Sequence, residues 1–160
     1  MKRGVLFSIV FIMHMYAFGA FAQTKDVADW TAIKSELELM FTTDQAMRVE
    51  YNTMRAEARA KGVEVDKASQ AALWKRIGEQ DRANQQRVTA IVDKYGWPKN
   101  SQVGQLAAMA AFLVVQHASL DVQLRYVAHL REATALGEAS TQNLALLEDR
   151  LLIRQGIPQR

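Results

Sequence analysis

Residues 110–121 read AAFLVVQHASLD, and the way this stretch is read decides the fold. Ala, Phe, Leu and Val run without a charge into Gln116 and His117, and Ser119 follows as a candidate helix cap. Upstream, Val103, Leu106, Ala110, Leu113 and His117 are spaced three and four apart, the spacing of one helix face. The opposite side of this segment is also rich in Ala, Met, Phe and Val, so the helix belongs in the middle of a bundle. The uninterrupted apolar run, 106–115, is too short to cross a bilayer. His117 is polar in a position where the stripe calls for an apolar side chain.

The same alternation extends outward in both directions. A first helix is expected from about Val27 to Lys61, with Trp30, Ile33, Leu37, Met40, Asp44, Met47, Tyr51 and Met54 on one face. Thr42-Thr43-Asp44 is an alternative boundary within it, because these residues also suit a helix cap. A second helix, capped by Asp66, carries Trp74, Ile77, Asp81, Asn84, Val88, Ile91 and Tyr95 in phase. Gly96 and Pro98 stop it, and Asn100 or Ser101 caps the central helix. Gly104 is expected to let a neighbouring helix approach closely, and Trp97 to plug the core. A fourth helix runs from Leu120 to Leu136 and stops at Gly137. A fifth, capped by Ser140 or Thr141, runs to about Gln155. No strand alternation or repeat interrupts the pattern. The fold class is all-α, a single compact bundle of about five helices.

The N-terminus has the form of a cleaved signal peptide. Lys2 and Arg3 precede an apolar segment from Gly4 to about Phe18, and Ala20-Phe21-Ala22 supplies the small-x-small cleavage site. Cleavage is expected before Gln23, leaving one α-helical domain over 23–160 and a periplasmic or secreted address. The alternative is an uncleaved membrane anchor, which the short apolar segment disfavours. The leader carries two of the 20 Lys and Arg residues and none of the 17 Asp and Glu, so the remainder is nearly neutral, at +1. No basic stripe tracks phosphates, and nucleic acid is not an expected partner. With no cysteine, disulfides, thiolate catalysis and Cys-ligated zinc are excluded.

Polar residues on apolar seams are the functional signal. Asp44, Asp81, Asn84 and His117 each replace an apolar residue in a regular stripe, and Asp149-Arg150 stand among the leucines of the last helix. A buried unpaired charge costs several kcal/mol or more, so such groups find partners, and the simplest solution is one another. Gln116, His117, Asp149, Arg150, Asp81, Asn84 and Asp44 are therefore the candidate binding residues of a polar pocket. A purely structural polar core is the competing reading. An enzyme reading makes His117 a general base, oriented by Asp149 or Asp81, with Arg150 holding an anionic substrate group. No nucleophile accompanies them, so water would have to serve. No metal site and no cofactor are expected. His117 and Asp121 stand four residues apart on an assumed common helix face, His129 falls elsewhere, and there is no HExxH, Gly-rich phosphate loop or GxSxG elbow.

These residues also form an ordered set. Asp44-Gln45, Asp81-x-x-Asn84, Gly96-Trp97-Pro98, Val103-Gly104, Gln116-His117, Gly137-Glu138, Asp149-Arg150 and Gly156-x-Pro158-Gln159 resemble, in order and spacing, a bacterial family known only as domain of unknown function 6624. The likeness covers roughly residues 36 to 160 and brings no activity with it. It implies a Tyr-Gly-Thr-Gln segment beyond Pro158-Gln159, whereas the sequence here stops at Arg160. Either this is a shortened member or the sequence is incomplete; if the segment closes over the pocket in relatives, a shortened member is expected to have an open or inactive pocket. The first functional expectation is an exported module with a polar pocket that binds a small ligand or a protein partner. The others are a hydrolase-like enzyme and a structural envelope protein.

Overall fold

A computed structural model describes residues 27–157. The leader expected at 1–22 and the Pro158-Gln159 element lie outside the described residues. Five helices follow in order: α1 Trp30–Ala60, α2 Lys67–Tyr95, α3 Asn100–His117, α4 Leu120–Ala135 and α5 Thr141–Arg154. No strand occurs among the described residues. None of these helices is long and apolar enough to cross a membrane.

The helices begin and end for local reasons. Asp29 accepts from the backbone N–H of Thr31 and Ala32 at 3.1 and 3.0 Å and so caps α1. Asp66 caps α2 through Ser69 at 2.7 Å, and Ser140 caps α5 through Asn143 at 3.3 Å. Thr42-Thr43-Asp44 does not divide α1. The Thr42 and Thr43 hydroxyls donate back to Glu38 O and Leu39 O, four residues earlier, and the helix runs through. Gly96, at φ +83°, ends α2 as expected.

The start of α3 differs from the sequence reading. Its cap comes from another part of the chain. Glu138, in the α4–α5 turn, accepts from Ser101 N and Ser101 Oγ at 2.9 and 2.8 Å, and its carbonyl accepts from Asn100 N. A carboxylate at a helix N-terminus faces the positive end of the dipole. Gly104, at φ 79° and ψ 166°, is not helical at all. Nothing lies within 4 Å of where its Cβ would be, so it serves a backbone kink and not a close approach. The kink disturbs the expected stripe locally, just after Val103, while Ala110 stays buried as expected. Leu106 therefore turns outward, 45% exposed, while Ala107, Ala108, Ala111, Phe112 and Val115 turn inward.

The core gathers around α3, which packs against α1, α2 and α4, while α4 and α5 pack on each other. Ile33, Leu37 and Met40 of α1 meet Val88, Ile91 and Val92 of α2, the inward face of α3, and Tyr126, Val127 and Leu130 of α4. Trp97 is buried in this core. On α2 the expected stripe slips at its start: Leu73 is buried, and Trp74 lies half exposed against Tyr51, ring centroids 4.8 Å apart. The aromatic pair satisfies itself on the surface of the α1–α2 hairpin.

Candidate functional site

Three helices deliver polar side chains to one place. Asp44 lies midway along α1, on the face that buries Ile33, Leu37 and Met40, and is itself only 6% exposed. Asp81 and Asn84 lie one turn apart on α2, and His117 is the last residue of α3. They line a cavity of about 20 Å³, room for a water-sized guest, together with Gln85 and the apolar Met40, Phe41, Ala110, Leu113, Val114 and Ala118.

Arg48 organises the cluster. Standing four residues after Asp44, it lies over the same face of α1. Its Nε donates to both Asp44 oxygens at 2.9 and 3.0 Å, and its Nη2 lies 2.7 Å from Asp44 Oδ1. That same Nη2 is 2.7 Å from His117 Nδ1 and 3.4 Å from Asp81 Oδ1. Gln45 Nε2 donates to Asp44 Oδ2 at 2.8 Å, and Gln80 Nε2 to Asn84 Oδ1 at 2.8 Å.

The electrostatics follow from this geometry. A guanidinium only donates, so the His117 Nδ1 that faces it presents a lone pair and the ring proton sits on Nε2. Burial disfavours the charged imidazolium, the Arg48 charge disfavours it further, Asp44 opposes, and Arg150 adds to the depression. Together they hold His117 down to about 4. Burial raises the Asp81 carboxyl above its ordinary value, against the pull of Arg48 and with a push from Asp44.

The remaining candidates lie elsewhere. Asp149 lines the α4–α5 groove with Arg131 and Glu148 and a second groove with Arg150 and Arg154, not the cavity. It therefore stands apart from His117, because α5 packs on α4 and does not reach the α1–α2 side of α3, and of the two carboxylates expected to orient His117 only Asp81 is in the cluster. Gln116 also faces that outer groove. Its carbonyl accepts from Gln123 Nε2 at 2.6 Å and from Arg150 Nη1 at 3.2 Å. Arg154 Nη1 donates to Ala118 O at 2.9 Å and Gln123 Oε1 at 3.2 Å. Arg150 Nη1 thus holds the carbonyl end of α3, the end that carries His117. Asp121 is not on His117's helix, since the chain breaks at Ala118-Ser119 and Asp121 opens α4.

Arg48 was the residue the stripes did not reveal. A seam search looks for polar residues in apolar positions, and Arg48 flanks the seam instead of occupying it. The usable signal was its distance of four from Asp44. Gln123, fully buried on α4, escaped for a different reason, since its partners are the Gln116 carbonyl and Arg154 at the far end of α5.

The match to a family model covers residues 31–160, nearly the whole described chain, and the chain belongs to that family, described as Family of unknown function (DUF6624). No curated protein and no solved structure matches it.

Proposed function

We propose that this member of DUF6624 is an exported binding module whose ligand seat is the polar cavity between α1, α2 and α3. The observation that carries the reading is the convergence of Asp44, Asp81 and His117, tied together by Arg48, from three helices on a cavity with apolar walls. A few placed polar groups within an apolar lining is the usual composition of a ligand site. Export rests on Lys2-Arg3, the apolar segment and Ala20-Phe21-Ala22.

The hydrolase reading fits less well. A general base works best with a pKa near the working pH, and His117 is held at about 4. Its Nδ1 is engaged by Arg48, Asp149 lies in another groove, and Asp81, the other expected orienting carboxylate, shares the same Arg48 nitrogen. A thermal-shift screen on residues 23–160 tests the binding reading, because a ligand that binds the folded state raises Tm by mass action. A compound or ion should raise Tm of the natural protein and leave His117→Ala unmoved. A broad screen in which every shift is shared equally by His117→Ala would refute the seat.

A further inference from the structure

We infer that the seat takes a divalent metal ion, bound by Asp44, Asp81 and His117 once the Arg48 guanidinium has swung out. This rests on the binding reading above and gives its ligand a chemical class.

Three donor atoms, one each from Asp44, Asp81 and His117, lie within 4.8 Å of one another. Adjacent donors around one divalent ion at about 2.0–2.2 Å stand about 3–3.5 Å apart, so the three side chains must close in by roughly an ångström as the guanidinium leaves. Two carboxylate oxygens and one imidazole nitrogen form a mixed set that suits a borderline first-row ion such as zinc, manganese or cobalt.

The lone pairs already point inward. A single nitrogen, Arg48 Nη2, sits between Asp44 Oδ1 at 2.7 Å, His117 Nδ1 at 2.7 Å and Asp81 Oδ1 at 3.4 Å. A group that only donates can sit there only if all three neighbours accept. The guanidinium thus marks a point where a cation is favoured, and it fixes His117 in the neutral tautomer that a metal requires at Nδ1.

Arg48 does not saturate the site. Among the described residues, Asp81 has one partner, and at 3.4 Å that contact is long for a charged pair. Two carboxylates against one guanidinium leave a net negative charge, which a divalent ion with Arg48 released brings to neutrality. Arg48 has a path out, since its side chain is 26% exposed and Asp81's is 33% exposed. The adjoining cavity of about 20 Å³ has room for a water as a further ligand.

The test is cobalt(II) and zinc titration of the chelator-stripped protein, natural and as Arg48→Met, His117→Ala and Asp81→Asn. Cobalt is read by visible absorption and zinc by calorimetry. The expected result is one ion per natural chain, with affinity lowered roughly tenfold or more in His117→Ala and Asp81→Asn. Arg48→Met should bind at least about tenfold more tightly, the worth of about 1.4 kcal/mol, because its internal competitor is gone. Failure of both the natural protein and Arg48→Met to bind one ion saturably would overturn the inference, as would binding that His117→Ala and Asp81→Asn leave unchanged. Equal affinity of Arg48→Met and the natural chain would overturn the displacement. The natural protein carries the test if Arg48→Met fails to fold. A screen hit of another chemical class, lost in His117→Ala, would leave the binding reading standing without the metal.

Discussion

Arg48 Nη2 lies 2.7 Å from His117 Nδ1, a contact that joins α1 to the end of α3 across 69 residues of sequence. It ties the middle of one long helix to the last residue of the central one, and both carboxylates of the cluster meet the same guanidinium. The stability and pH response of this region both pass through that group, and the proposed seat depends on it.

Removing Arg48 should be costly, and the cost should depend on Asp44. Asp44 is 6% exposed, so Arg48→Met strands a buried carboxylate. Breaking a buried pair costs about 3–5 kcal/mol, and the partial exposure of Arg48 places the loss near about 3. In Arg48→Met/Asp44→Asn the loss should fall short of the sum of the singles by about 1–3 kcal/mol. The exposed Arg87–Glu36 pair, despite two bonds of 2.7 and 2.8 Å, should lose no more than about 1 kcal/mol in Glu36→Gln. Urea unfolding of the four variants measures each value.

Stability should rise with pH between about 4 and 6.5 on account of His117. Its folded value is about 4 against an ordinary 6.5, so in that window the unfolded chain holds a proton that the folded chain does not. The stabilisation is complete above 6.5 and lost as pH falls through the window towards 4. Asp81 works in the opposite sense: its raised carboxyl favours the folded state at low pH and loses that contribution as pH rises. The comparison must therefore be with His117→Gln, which keeps Asp81. Between pH 4.5 and 7 the natural protein should gain stability relative to His117→Gln; parallel profiles would contradict the burial of His117 against Arg48.

Gly104→Ala should destabilise by about 1–3 kcal/mol although no atom obstructs the new methyl. The cost is in the backbone, since φ 79° with ψ 166° is a region that only glycine enters readily. A thermal melt unchanged from the natural protein would show that the kink relaxes to helix.

Gln123→Leu should cost about 1–3 kcal/mol despite keeping the side-chain volume nearly constant. It removes the 2.6 Å donor to Gln116 O and leaves Arg154 without its 3.2 Å acceptor. The α3 end would loosen, and the His117 ring resonances should broaden in the variant.

The five helices were legible because their signals are local: Asp66 and Ser140 cap where the pattern begins, and Gly96 ends α2. The polar cluster was legible only in part. Asp44, Asp81, Asn84 and His117 stood out because an apolar stripe makes an interruption visible. Asp149 stood out equally and lies elsewhere, because a stripe tells which face a residue occupies and not which neighbour that face meets. On α3 the expected stripe failed only at Leu106, just after the non-helical Gly104, while Ala110, Leu113 and His117 kept one face, and the α3 cap was lost because Glu138 comes from 37 residues away. Long-range partners leave no periodic trace.

The most direct measurement is the nitrogen-15 spectrum of the His117 ring against pH. The account predicts a neutral ring at pH 7 with its proton on Nε2, Nδ1 in the chemical-shift range of a hydrogen-bonded acceptor, and titration near 4. A ring that titrates near 6.5, or carries its proton on Nδ1 at pH 7, would show that Arg48 does not face it and would contradict the convergence on which the seat depends.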